Sequence, residues 1–296
     1  MDLRQLEFFS AVAAELSFTR AADRLTIAQS AVSAGVRSLE SELGVELFDR
    51  SRRQIRLTGA GDLLLPKVRE ALDAVNEVRD AAQETAHAIT GSIVIGLMTS
   101  VTLVDVPGLL GLFRTGHPGV GVRLRAARRG SAGLLDDLAS GELDLAFLAL
   151  SGPVPASLTA QPIASSPMVL VVPEAHRLAG ARTVSLGDLE REEFIDLPPG
   201  YASRRIVDDA FTVAGVERRV MIEVSDIGTA AEYVTNGLGV ALLPAFAARD
   251  AREVRRIPVD AVPNFTVYLA ASRTRRVSAA VRAFIDLALP GENPAR

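Results

Sequence analysis

The sequence predicts an α/β protein in three parts: a small helical module ending in a basic hairpin, a long amphipathic helix, and a two-lobed region of alternating strands and helices. Three observations predict it. Residues 17–58 read as two short helices joined by a tight turn, then an arginine-rich hairpin. Residues 59–90 repeat apolar side chains at spacings of three and four between charged ones. From Gly91 the composition shifts, and short apolar runs alternate with helical patterns, as in βαβ units.

The chain begins with an amphipathic helix carrying Leu3, Leu6, Phe8 and Phe9. The next helix offers Ala21, Ala22 and Leu25 for close packing, with Ser17 or Thr19 placed to cap its first turn. In the third, Val32, Val36, Leu39 and Leu43 fall at i, i+4, i+7 and i+11, one apolar stripe for a core. The opposite face carries Ser30, Ala34, Arg37 and Ser41, with Ser33 on its flank. Such small or cationic side chains approach a phosphate or a base edge closely. An ordinary helix pair with a solvated outer face would look the same, so the next segment decides. Arg50, Arg52, Arg53 and Arg56 fall within seven residues on a hairpin bracketed by Leu47, Phe48, Ile55 and Leu57. Guanidinium groups grip phosphate bidentately, and a hairpin tip reaches the DNA backbone or minor groove beside a helix lying in the major groove. The module therefore reads as a winged helix-turn-helix. Its DNA-facing candidates are Thr19, Arg20, Gln29, Ser30, Ser33, Ala34, Arg37, Arg50, Arg52 and Arg53.

Composition narrows the rest. At 296 residues and 48% hydrophobic, the chain holds more than one core. With no cysteine it has neither disulfides nor thiol-based metal sites, and His87, His117 and His176 show no ligand spacing, so neither a metal nor a cofactor is expected. No signal-peptide pattern or membrane-length apolar run is present, which predicts a cytoplasmic protein. Bulk charge does not announce a nucleic-acid binder: residues 1–90 hold 14 acids and 11 bases, net −3. DNA binding rests on local placement of arginines, and an acidic background makes it strongly salt-dependent.

In the long helix Leu64, Val68, Ala71, Leu72, Val75, Val78, Ala82 and Ala86 make a narrow stripe. It calls for a partner, most simply the same helix of a second subunit. The alternative is a helix packed on its own domain. Pro66 marks a kink or the first turn. Beyond it, the expected strands are Ser92–Leu97, Val120–Ala126, Leu143–Leu150, then MVLVVP, EFIDL, VMIEV and VALLP. Helices are expected over Leu103–Thr115, Ala132–Ser140, near Ser185–Glu190, Ala202–Ala214 and Asp226–Asn236. Unbroken apolar strands predict a parallel sheet covered on both faces. A last strand and helix, Thr266–Ala271 and Arg276–Leu289, cross back to the first unit. Two lobes with two crossovers enclose a cleft, the architecture of periplasmic binding proteins.

The N-terminal residues SFTRAADRL, AQSAVSAGVRSLESELGVELFDR and LTGAG, with NGLGVALLP further on, resemble the LysR-type transcriptional regulators over almost the whole chain. The resemblance implies a DNA-binding domain over 1–58, a dimerisation helix over 59–90, and an effector domain over 91–296. Lobe I would span 91–162 and 266–296, lobe II 163–265. It also implies a homodimer or homotetramer on a double-stranded operator, response to a small-molecule effector, and contact with RNA polymerase. Two departures stand out. Ala34-Gly35 replaces larger polar residues, which implies fewer base hydrogen bonds from the recognition helix, and Ala28 stands where a capping hydroxyl is common.

Ligands of such sheets sit at strand carboxyl ends against helix N-termini. Position and resemblance nominate Thr99, Ser100 and Thr102 after the first strand, Ser131 and Phe147 in the same lobe, and Pro198, Tyr201, Ser203 and Asp226 in the second. Each hydroxyl has a plain alternative as a helix cap. Arg128-Arg129 stands where the family carries an acid and a glycine, so Arg129 suggests an anionic effector such as a carboxylate. A solute-binding protein, an enzyme and a ligand-independent DNA binder are the rival readings. The N-terminal module opposes the first. The second lacks a nucleophile–base pair, metal constellation or phosphate loop. The third would leave the cleft without a ligand.

Overall fold

Asp2 opens the first helix. Its side chain accepts the Gln5 N–H at 2.8 Å while the Gln5 side chain accepts the Asp2 N–H at 2.8 Å, a reciprocal cap that starts α1, Leu3–Glu15. Ser17, not Thr19, caps α2, Phe18–Leu25, accepting the Arg20 N–H at 3.3 Å. The helix α3, Gln29–Leu43, follows Ala28 and has no side-chain cap, as the missing hydroxyl implied. The computed structural model describes residues 1–50, 55–84, 89–99, 102–127 and 129–289 and divides into two compact units, Met1–Ile89 and Thr90–Arg296.

In the first unit Val32, Val36 and Leu39 are fully buried against α1 and α2, but Leu43 is 38% exposed because α3 ends there at Gly44. Phe9, Phe18 and Phe48 close the core with edge-on ring contacts. The hairpin forms as expected: β1, Phe48–Asp49, pairs antiparallel with β2, Arg56–Leu57. Thr58 then accepts the Gly61 N–H at 3.0 Å and donates to the Glu46 carbonyl, capping the 26-residue α4, Gly59–Glu84. Pro66 lies inside α4 rather than in its first turn. Leu64, Val68 and Leu72 pack on the unit's own core. Packing on its own domain therefore holds for the first half of α4, whereas Val78 stays 71% exposed.

Among the described residues the second unit holds a five-stranded, a three-stranded and a two-stranded sheet. The first is built from β3, Gly91–Leu97; β4, Val120–Ala126; and β5, Leu145–Ala149, which run parallel, with α5, Val106–Gly116, and α6, Gly130–Ser140, between them. A strand unanticipated from sequence, β6, Leu158–Ser166, completes this sheet. Its residues alternate Thr, Gln, Pro and Ser with apolar ones and carry no continuous apolar run. Of the strands β7, Met168–Pro173; β8, Glu193–Asp196; β9, Arg219–Glu223; β10, Ala241–Pro244; and β11, Val254–Pro258, the order β10-β7-β11 forms a three-stranded sheet and β8-β9 a parallel pair, linked to it by a bridge between Phe194 and Val240. With these strands pack α7, Ala202–Ala214, and α8, Ile227–Thr235. The expected helix near 185–190 is a single 3-10 turn, Leu186–Leu189.

The final strand, β12, Phe265–Ser272, returns to the first sheet between β5 and β6, giving the order β4-β3-β5-β12-β6, and α9, Ala279–Ala288, covers it. The expectation of parallel pairing needs correction here. β12 runs antiparallel to both neighbours, and β7 is antiparallel to β10 and β11. An unbroken run such as MVLVVP reports burial on both faces, which either strand direction permits.

Candidate functional site

The outer face of α3 is open. Gln29, Ser30, Ala34, Arg37 and Ser41 are exposed and Ser33 is half-buried, with Thr19 and Arg20 exposed on α2. Gly35 is not part of that face. A Cβ there would run into the Phe8 ring, so the glycine lets α3 approach α1 closely. The small residue follows from packing, whereas Ala34 beside it does narrow the hydrogen bonding available to a base.

The arginines divide by partner. Arg37 and Arg56 make no ion pair among the described residues. Arg20 donates to the Glu15 carbonyl and lies 3.6 Å from its carboxylate. Arg50 pairs with Glu40 at 2.7 Å and sits over the Phe18 ring at 4.9 Å. Arg52 and Arg53 lie outside the described residues.

In the second unit a pocket of about 390 Å³, open mouth included, forms where strand ends meet helix starts. Met98 and Thr99 follow β3, Gly130 and Ser131 start α6, and Leu197 follows β8. Tyr201, Ala202 and Ser203 start α7, Ile227 starts α8, and Phe246 and Phe265 close the apolar wall. Neither α6 nor α7 has a side-chain cap, and in α6 the Ala132 N–H donates instead to the Gly200 carbonyl at 3.3 Å. Gly130 takes a left-handed φ of 58° against Gly200 and Tyr201, where a side chain would collide.

The hydroxyls differ in state. Ser131 is 4% exposed and committed: its Oγ accepts the Ala149 N–H at 3.2 Å and contacts the Met98 sulfur at 3.2 Å. Ser203 is equally buried, at 4%, yet its hydroxyl has no hydrogen-bond partner among the described residues. Thr99, Ser131, Tyr201 and Ser203, four of the nominated effector residues, thus line one pocket.

The others lie elsewhere. Thr102 is exposed outside the pocket lining, and Pro198 is half-buried outside it. Asp226 caps α8 by accepting the Gly228 N–H at 2.9 Å, and Ile227 beside it faces the pocket instead. Phe147 is fully buried in the core of the first sheet, its ring 6.3 Å from that of Phe284. Arg129 points away from the lining: it pairs with Asp136 at 2.7 Å on the surface, with 68% of its side chain exposed. Ser100 and Arg128 lie outside the described residues. Sequence reasoning missed Leu197, Ile227, Phe246 and Phe265. Their shared signal is an apolar residue at a strand end or helix start, which core residues carry too.

A helix-turn-helix with a wing in one unit and a strand-end pocket in the other define a ligand-responsive DNA-binding protein. The family comparisons agree. Residues 3–62 match the bacterial regulatory helix-turn-helix protein model of the lysR family, and residues 86–291 match the LysR substrate binding domain. The RuBisCO operon transcriptional regulator of Allochromatium vinosum is 31% identical, over 98% of this chain and 96% of that protein. The regulator CfxR of Cupriavidus necator is 36% identical, over 82% of this chain and 75% of that protein. Among solved structures, a full-length OxyR variant from Pseudomonas aeruginosa has a TM-score of 0.74 at 26% identity, covering 97% of this chain and 94% of that one. CbnR complexed with its target DNA has the same fold, with a TM-score of 0.61 at 24% identity, over 97% of this chain and 99% of that one. This chain belongs to the LysR family and is a DNA-binding transcriptional regulator with an effector-binding domain. Among the described residues, no helix is long and apolar enough to cross a membrane.

Proposed function

We propose that the chain controls transcription in the cytoplasm in response to a small molecule bearing one anionic group on a largely apolar body. The observation that carries this is Ser203, a residue only 4% exposed that lines the pocket in the first turn of the uncapped α7, its hydroxyl without a hydrogen-bond partner among the described residues. Ser203 and the first residues of α6 and α7 line the pocket together, and helix N-termini attract negative charge. No charged side chain is among the described lining residues, and Met98, Leu197, Ile227, Phe246 and Phe265 give the pocket a large apolar wall. Anion selectivity therefore comes from backbone dipoles, not from Arg129, which is already paired with Asp136.

Occupancy acts on DNA only through different affinities for two arrangements of the protein. The face formed by Thr19, Gln29, Ser30, Ser33, Ala34 and Arg37 reads the major groove, and Arg52 and Arg53 of the wing reach phosphate or minor groove. The exposed Val78 edge of α4 joins a second copy, giving a homodimer or homotetramer that contacts RNA polymerase from its operator.

Footprinting on the region upstream of the chain's own gene, at two salt concentrations, tests the DNA-binding half. A thermal-shift screen of small apolar carboxylates and phosphate esters tests the other. A hit whose shift disappears in Ser203→Ala supports the pocket. Complete absence of hits, with intact operator binding, favours a ligand-independent regulator.

A further inference from the structure

Glu40 and Arg50 stand where the recognition helix meets the wing, and neither behaves as a solvated charge. The Glu40 side chain is only 12% exposed. One carboxylate oxygen accepts the Leu47 N–H at 2.9 Å and the Phe48 N–H at 3.3 Å, and the other accepts the Arg50 guanidinium at 2.7 Å. Three donors from the wing's first strand and the residues either side of it thus converge on one side chain of α3. The Arg50 guanidinium also lies over the Phe18 ring of α2, at 4.9 Å, and that ring meets Phe48 edge-on at 5.8 Å. Both helices of the motif therefore hold the same end of the hairpin.

We propose that Glu40 and Arg50 form a clamp that sets where the wing stands relative to the recognition helix. Both then act on DNA binding as positioning residues, and Arg50 is not a phosphate contact. The proposal rests on the DNA-binding reading of the first unit.

Two physical points support it. The wing ladder is two residues per strand, Phe48 with Leu57 and Asp49 with Arg56, and a hairpin that short does not hold its own position in water. It needs anchors outside itself, and the bonds from Leu47, Phe48 and Arg50 to Glu40 supply them. A guanidinium engaged with a carboxylate and a ring face has also used the fork it would present to phosphate. Turning it toward DNA would leave the Glu40 carboxylate without its cation beside a polyanion.

For Glu40, charge and position pull in opposite directions. If it were a bystander acid on a DNA-binding module, removing its charge would tighten binding by reducing repulsion of phosphate. As half of the clamp, removing its charge weakens binding although the protein becomes less negative.

The test uses the full chain and a duplex from the region upstream of its own gene. Affinity across salt concentrations and hydroxyl-radical footprints are measured for wild type, Glu40→Gln, Arg50→Met and the double variant. Thermal melts confirm that each is folded. Glutamine keeps an acceptor for Leu47 and Phe48, so the hairpin's backbone bonds survive. The expected result is a loss of about tenfold for each single variant, the scale of one charge-assisted hydrogen bond. The double variant should be no weaker than the weaker single one. Protection on the wing side should fade while protection at the recognition helix persists. Tighter or unchanged binding by Glu40→Gln overturns the clamp. So does additivity with a fall in salt slope confined to Arg50→Met, which would make Arg50 a phosphate contact. Absence of wild-type binding would instead overturn the DNA-binding reading itself, and the clamp with it.

Discussion

Arg218 pairs with Asp196 in the second unit with only 4% and 2% of their side chains exposed. The guanidinium also pairs with Asp208 and lies against both the Phe194 and Phe211 rings, at 5.3 and 5.6 Å, while its Nε has no partner among the described residues. Asp196 reaches the pocket through the backbone: it accepts the Leu197 N–H at 2.7 Å, and Arg204 donates to the Leu197 carbonyl at 2.9 Å. Leu197 lines the pocket, so this buried ionic group fixes part of the pocket wall. Burial pushes the Asp196 carboxyl up from its ordinary 3.8, and Arg218 opposes that push.

Arg218→Met should therefore cost about 3–5 kcal/mol at neutral pH, because it leaves a buried carboxylate without its closest cation. The pH dependence has a definite sign. Without Arg218, the folded-state pKa of Asp196 rises further above the unfolded 3.8, so the native state binds the extra proton. Stability of the variant then falls as pH rises through the window between those two values. Urea denaturation should show a deficit against wild type that is largest at pH 7 and shrinks toward pH 4. An equal deficit at both would mean that lost ring packing, not the stranded charge, is responsible.

The N-terminal module was legible because each of its elements is specified locally. Val32, Val36 and Leu39 report one buried helix face, and the residues flanking Arg50–Arg56 report a hairpin. Strand direction in the second unit was not legible, since β7 is buried on both faces whichever way its neighbours run. The antiparallel β12 and the unforeseen β6 are set by long-range pairing, Phe265 with Ser166 through Ser272 with Leu158. The pocket was half legible. Chain position marked Thr99, Ser131, Tyr201 and Ser203, but which hydroxyl is already satisfied depends on an N–H from β5. Arg129 misled for the same reason: sequence shows a cation at a strand end, while its partner Asp136 sits two helical turns along α6.

The two buried pocket serines should separate under substitution. Ser131→Ala leaves the Ala149 N–H with only the weakly accepting Met98 sulfur, at 3.1 Å, and should destabilise by about 1–3 kcal/mol. Ser203→Ala removes a hydroxyl that bonds to nothing among the described residues, so its cost should lie within about 0.5 kcal/mol of zero. Chemical denaturation of both variants checks this. A large loss in Ser203→Ala would give that hydroxyl a structural role and remove it as a ligand group.

Gly35→Ala tests whether the small residue on the recognition helix serves packing. The added methyl meets the Phe8 ring, so α1 and α3 must part or Phe8 must leave its place. The expected cost is about 1–3 kcal/mol of stability, with DNA affinity falling in step with the folded fraction. Full stability with altered operator preference would place Gly35 at the DNA instead.

Arg37 and Arg56 are exposed and make no ion pair among the described residues, whereas Arg20 and Arg50 are held by Glu15 and Glu40. A free guanidinium that neutralises a phosphate releases condensed counterions, so its removal lowers the salt slope of binding by about 0.9 per contact. Arg37→Ala and Arg56→Ala should each reduce that slope by close to this amount and weaken binding most at low salt. Arg20→Ala should lower it less, since that side chain must give up its contacts with Glu15 before it can meet phosphate. Affinity titrations between 50 and 200 mM salt, a range over which several phosphate contacts shift affinity by about 10³-fold or more, have ample room to resolve a change of one contact. If all three variants kept the wild-type slope, phosphate neutralisation would fall to the remaining wing arginines, Arg52 and Arg53, and α3 would serve the bases alone.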